Sequence, residues 1–310
     1  MIRALIKGMP RGLLAPRHWP SWLGFIIWYL LVQLPYRWQY QIARLGYPLL
    51  RRNKKRLAMA ETNIRLCFPE RSDAERQALL EENLFSTAMA LFETGIAWFW
   101  PASRLRRLYV VRGEDNLQRI KESPQGVLLL SAHFTHLDLG SAMLGQHVVY
   151  DGMYSPHRNP VYDYVQKTGR EGYAKGLAIP RNNVRAMVTQ LRKGNKVWYA
   201  PDRDLGAKVS IFVPFFYVPA ATVTATGKFV HLGRAQVIPF TQRRLEGGKG
   251  YELIIHPPFD SYPTGDEYQD ALRVNQFIEQ EVAKYPEQYL WAQPRFKTRP
   301  EGEEPFYPRR

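Results

Sequence analysis

Apolar positions along the 310-residue chain fall into three patterns. In "WPSWLGFIIWYLLVQLPYRW" they run almost unbroken from Trp22 to Leu34, with Pro20 and Pro35 near the limits. Between Arg51 and Trp100 they recur every three to four residues, which predicts helix. Within that region "SDAERQALLEENLFSTAMALFETGIAWFW" opens on Ser72 as a cap, with Glu75 at the capping-box position, and Pro101 stops it. Beyond Pro101 the apolar stretches shorten to strand length: "GVLLLSA", "HVVYDGMYS", "KVWYAPD", "AQVIPFTQRR" and "YELIIHPPF". Helical segments separate several of them, and "NNVRAMVTQLRKGN" closes on a basic last turn and Gly194. Alternating strands and helices predict an α/β fold in which helices cover a central mixed sheet. There is no internal repeat, heptad array or low-complexity linker to divide it.

The first run carries a different expectation. Trp19, Trp22, Trp28 and Trp38 crowd its ends like an interfacial aromatic belt, and no small-residue cleavage site follows. We read residues 1–38 as an N-terminal membrane anchor and 39–310 as the main domain, helical in its first part over about 51–100. The apolar core covers only about 20 Å against a hydrocarbon thickness of about 30 Å, so a spanning helix and an interfacial one both remain open. The cluster Arg51 to Arg56, "RRNKKR", makes the following side denser in positive charge and places the main domain in the cytoplasm.

Composition narrows the partners. Lys and Arg total 43 against 28 Asp and Glu, a net charge of +15 that suits an anionic partner. No RNP, helix-turn-helix or OB signal supports nucleic acid. The single cysteine, Cys67, excludes an internal disulfide and a cysteine-based zinc cluster and reads as a packing residue.

Candidate chemistry concentrates in "LSAHFTHLDLG". The run Gly126 to Leu130 has the pattern of a strand buried on both faces, so His133 falls where that strand ends. Ligands of open α/β sheets collect beyond such carboxyl ends. His133 and Asp138 form an H-x4-D pair. On one regular helix they would lie about 140° apart, so His133 is expected in the strand-to-helix turn and Asp138 in the first turns of the next helix. There a carboxylate can accept the Nδ1 proton and leave Nε2 as a base. His136 is the rival base. No G-x-S-x-G elbow, P-loop or H-E-x-x-H helix is present. A His-Asp pair without a protein nucleophile suits direct attack by a substrate hydroxyl, that is, acyl transfer without a covalent enzyme intermediate.

These residues resemble the late acyltransferases of lipid A biosynthesis, within the wider lysophospholipid acyltransferase superfamily. The likeness runs through "PRHWPSWLG", "LVQLPY", "NIRLCFPE", "ETGIAWFWP", "SAHFTHLDLG", "VWYAPDRDLG", "IFVPFF" and "PEQYLWAQPRFKTRPEG". Members often carry Glu where this chain has Asp138, and Pro294 before Arg295 departs from a more usual double arginine. The resemblance implies a single acyltransferase domain moving a fatty acyl group from acyl carrier protein to a 3-hydroxyacyl hydroxyl of Kdo2-lipid IVA. It implies no metal and no cofactor beyond that co-substrate, and an inner-membrane location with the catalytic domain on the cytoplasmic side. Arg170 in "QKTGREG" is carried over as a group that binds a phosphate or positions a carboxylate; Asp202 and Asp204 in "YAPDRDLG" follow the strand-like "KVWYA" and should reach the same edge of the sheet as His133, where they orient Arg170 or the substrate. "FVPFF" and the helix ending at Trp100 are candidates for the acyl-chain groove. The competing readings are an acyltransferase for a glycerophospholipid or another glycolipid, and a non-catalytic basic protein tethered to a membrane.

Overall fold

The computed structural model describes Leu5 and residues 8–308. Helices α1 (Trp19–Gln33), α2 (Tyr36–Gly46), α3 (Lys54–Cys67) and α4 (Asp73–Phe99) precede the sheet. Ser72 caps α4 as its sequence requires: its hydroxyl accepts from the Glu75 N–H at 3.3 Å, and its own N–H donates to the Glu75 carboxylate at 2.7 Å. The sheet is built from β1 (Tyr109–Arg112), β2 (Val127–Leu130), β3 (Tyr150–Tyr154), β4 (Lys175–Pro180), β5 (Lys196–Tyr199), β8 (Gln236–Arg244) and β9 (Tyr251–Ile255). Its order is β1-β9-β8-β2-β5-β3-β4. The β8–β9 pair is antiparallel and the other pairs are parallel, so the sheet is mixed. The strands β6 (Ser210–Phe215) and β7 (Val218–Val223) form a separate hairpin. Helices α5 (Glu114–Glu122), α6 (Leu137–Gly145), α7 (Pro160–Ala174), α8 (Val184–Arg192), α9 (Ala225–Gly233) and α10 (Glu267–Lys284) complete the chain.

All four residues of β2 are fully buried, because helices cover both faces of this central strand. One core cluster holds Leu128 and Leu130 with α3, α8, α10 and the hairpin, and the other holds Leu129 with α6, α7 and the end of α4.

The N-terminal membrane helix is not supported. Among the described residues no helix is long and apolar enough to cross a membrane. The apolar run folds as the 15-residue α1, about 22 Å long, and breaks at Leu34–Pro35. One face of α1 is also committed to α4. Val32 is fully buried, Trp28 Nε1 donates to Leu91 O at 2.9 Å, and Trp100 Nε1 donates to Val32 O at 2.6 Å. Gly95 permits this approach, since a Cβ there would meet Val32 Cγ1 at 2.5 Å. The buried Gln39 side chain turns the corner into α2 by donating to Val32 O and Leu34 O. The opposite face, with Trp19, Leu23, Ile26, Ile27 and Leu30, is exposed.

Candidate active site

His133 leaves the carboxyl end of β2, and Asp202 leaves that of β5. The two strands are parallel neighbours in register Leu130↔Tyr199, so each residue lies three positions beyond the same rung. That places the imidazole on the carboxylate: His133 Nδ1 lies 2.6 Å from Asp202 Oδ1, while the His133 N–H donates to Oδ2 at 2.9 Å. Asp202 Oδ2 also accepts from Tyr289 OH at 2.8 Å. Gln293 Nε2 donates to the Tyr289 hydroxyl at 2.9 Å. Burial alone would push the Asp202 carboxyl up, but the adjacent His133 ring and these hydrogen bonds reverse it, holding the group well below the usual carboxylate range. Asp202 is therefore an anion that fixes Nδ1–H of the ring. Its side chain is fully buried, whereas the His133 side chain keeps 21% of its surface open to solvent. Among the described residues Nε2 has no protein partner, which leaves it available as a base.

The His133 loop is clamped by the C-terminal segment. Leu290 N–H donates to His133 O at 3.0 Å, and Thr135 N–H donates to Gln288 O at 2.8 Å. That segment is held in turn by two buried asparagines: Asn83 donates to Glu287 O and Tyr289 O, and Asn63 to Trp291 O and Gln293 O.

The expected contact between His133 and Asp138 is not formed. Asp138 is the second residue of α6, and the helical turn that starts at Leu137 aims it at α4 and α7. There Arg170 grips it in a two-pronged pair, Nε to Oδ1 at 2.9 Å and Nη2 to Oδ2 at 3.0 Å. Tyr173 OH donates at 3.0 Å, and Trp98 Nε1 lies at 3.3 Å. Burial opposes ionisation of Asp138, yet Arg170 with the Tyr173 and Trp98 donors holds its carboxyl below the usual range. Arg170 itself is pushed up by the same pair against the effect of its burial. Arg170 thus positions Asp138, and neither Asp202 nor Asp204 orients it. Asp204 accepts from Thr298 N–H at 2.6 Å, Thr298 Oγ1 at 2.8 Å and Gly206 N–H at 2.9 Å, tying the segment at Thr298 to the loop after β5.

His136 is 1% exposed, and burial drives its pKa down to about 4, against the pull of Glu93. It is a neutral interior residue. Beside it lies a buried network that sequence reasoning missed: Arg244 pairs with Glu93 through Nε at 2.7 Å and Nη2 at 3.1 Å, and Tyr251 OH donates to Glu93 at 2.7 Å. The readable signal was Glu93 itself, a carboxylate inside the apolar "MALFETGIAWFW", which requires a buried partner. Tyr289 and Gln293 had no such signal.

Of the candidate groove residues, Phe215 is fully buried against Tyr289 and Phe296 and packs the core. The end of α4 borders a cleft of about 250 Å³ that also involves α6 and α7. Cys67 is buried, and burial pushes its thiol well up, as suits a packing residue. Among the described residues no group of three or more His, Cys, Asp or Glu side chains is gathered as metal ligands.

Residues 6–298 match the family described as bacterial lipid A biosynthesis acyltransferase. The chain is 41% identical over 293 residues to the lipid A biosynthesis lauroyltransferase of Escherichia coli K12, covering 94% of this chain and 95% of that one. It is 42% identical over 302 residues to the palmitoleoyltransferase of the same strain, covering 96% and 97%. Against the myristoyltransferase of that strain the identity is 30% over 301 residues, covering 95% and 92%.

Proposed function

The chain belongs to the bacterial lipid A biosynthesis acyltransferases, and from that premise we propose that it moves a fatty acyl group from acyl carrier protein to a 3-hydroxyacyl hydroxyl of Kdo2-lipid IVA. His133 Nε2 takes the proton of the acceptor hydroxyl as the oxygen attacks the thioester carbonyl. The carbonyl carbon gains the ester bond, the carbon–sulfur bond breaks, and the proton passes to the departing thiolate. Asp202 keeps the ring in the Nδ1–H tautomer and stabilises the imidazolium formed in that step. The observation that carries this reading is the 2.6 Å contact of a solvent-facing imidazole with a fully buried carboxylate at one end of the sheet. In this mechanism Asp138 and Arg170 brace α6 and α7 around the site. The basic surface suits both an acidic carrier protein and an acceptor bearing phosphates and carboxylates. The exposed apolar face of α1, followed by Arg51, Arg52, Lys54 and Lys55, suits docking on the inner-membrane interface.

Transfer assays with defined acyl carrier protein thioesters, offered Kdo2-lipid IVA, lipid IVA or a lysoglycerophospholipid, test the assignment. Ester formation on the Kdo-bearing acceptor is expected. Preferential acylation of the lysoglycerophospholipid would replace the lipid A reading with a glycerophospholipid one.

A further inference from the structure

The cleft beside the end of α4 lies away from His133. It is bordered by Ala142, Gly145 and Gln146 at the carboxyl end of α6, whereas the His133 loop enters that helix at its amino end. At 1.5 Å per residue the separation along α6 is about 10 Å. The floor is apolar and buried, with Ala97, Trp98 and Ala142. Gly172 leaves one wall open, since a Cβ there would meet nothing within 4 Å. The exposed rim carries Arg106 and Lys175.

Two observations point to an anion. Arg106 Nε donates to Gln146 Oε1 at 3.3 Å, which fixes the amide so that Nε2, buried and without an acceptor, is left unsatisfied. The neighbouring His147 is held low by burial and then by Lys121, Arg106 and Lys175, against Glu114 alone, so the side-chain field there is positive. Three helix carboxyl ends, those of α4, α6 and α7, meet at the cleft and bring about half a negative charge each. Two full cationic charges on the rim outweigh them. The volume holds about eight groups the size of a water, at about 30 Å³ each.

We propose that this cleft is a second binding site, taking a medium-chain fatty carboxylate whose chain lies on Ala97, Trp98 and Ala142 and whose carboxylate meets Arg106, Lys175 and the Gln146 amide. The site does not depend on the base assigned to His133. It also differs from the far end of a donor-chain groove, because a chain arriving from His133 would place its methyl end between two cations.

Equilibrium dialysis of labelled octanoate against the full chain tests this. Wild type is expected to bind octanoate saturably and octanol without saturation. Gly172→Leu, which fills the cleft from a helical position, should weaken octanoate binding about tenfold or more, and Arg106→Gln with Lys175→Gln should do the same by removing charge-assisted donors. Both rim residues are exposed, so the double variant decides the matter if Gly172→Leu does not fold. Unchanged octanoate binding in the double variant, or in a Gly172→Leu protein with wild-type thermal unfolding, would overturn the site. A shift of transfer toward shorter acyl chains in Gly172→Leu would also overturn it, making the cleft the distal end of the donor groove.

Discussion

At the residue scale, burial separates two histidines that lie three positions apart. His133 faces solvent with one ring nitrogen tied to an anion, whereas His136 is enclosed beside Arg244 and Glu93. The consequence of enclosing His136 is measurable. Its folded pKa is about 4, below an unfolded value of about 6.5, so the unfolded chain binds the extra proton between those limits. Stability therefore rises with pH across this window and falls as pH drops from 6.5 toward 4, by a total on the order of 3 kcal/mol from this group. Chemical denaturation of His136→Phe at pH 4.5 and pH 7 should show a smaller difference between the two than wild type does. An equal difference in both proteins would assign the pH dependence elsewhere. Asp202 acts further down, because its depressed carboxyl loses its contribution only as pH falls below the ordinary carboxylate range.

At the element scale, α1 packs one face on α4 and leaves the other exposed. Gly95→Leu would drive a side chain into Val32 and Trp28, where even a Cβ is too close. Overpacking of this kind costs about 1–3 kcal/mol, and the thermal midpoint should fall by several degrees. A midpoint equal to wild type would mean that α1 packs loosely on α4. What the sequence disclosed and what it hid follow one physical division. Ser72 with Glu75, the buried run of β2 and the helix before Gly194 are local patterns, and each forms where its neighbours dictate. Arg170 meets Asp138 through helix packing, and Asp202 meets His133 through strand register, neither of which short-range spacing contains. The H-x4-D spacing placed His133 at the end of β2 but did not give the carboxylate it contacts, because α6 begins between the two members of the pair and turns Asp138 toward Arg170. The strands β1, β4, β6 and β7 escaped notice because their alternation is short or interrupted by Pro and Gly, as in "KGLAIP" and "FVPFF".

At the scale of the whole molecule, the exposed side of α1 is followed in the chain by exposed Trp38, Ile42 and Leu45 on α2 and Leu49 beyond it, and then by Arg51, Arg52, Lys54 and Lys55. Such a surface binds a lipid interface by burying apolar area and by attraction to anionic headgroups. Replacing Leu23, Ile26, Ile27 and Leu30 with Ser should release the protein from anionic vesicles in a flotation assay while leaving its unfolding transition near that of wild type, since each of these side chains keeps more than half of its surface exposed. Raising the salt concentration should weaken the wild-type interaction, as screening of the basic flank requires. Retention of the fourfold variant on vesicles would place the membrane contact on another surface.

His133 and Asp202 stand together at the carboxyl end of the sheet, so the account depends above all on whether they act as one catalytic unit. A double-mutant cycle on the acyl transfer rate measures this directly. His133→Ala and Asp202→Asn should each lower turnover by about 10²–10⁴-fold, and the double variant should lose little more than the worse single one, because a base without its carboxylate and a carboxylate without its base are the same broken device. Asp138→Asn should combine multiplicatively with His133→Ala if its role is to brace α6 and α7. Near wild-type transfer by a folded His133→Ala protein, or multiplicative losses for His133 with Asp202 and not for His133 with Asp138, would contradict the account.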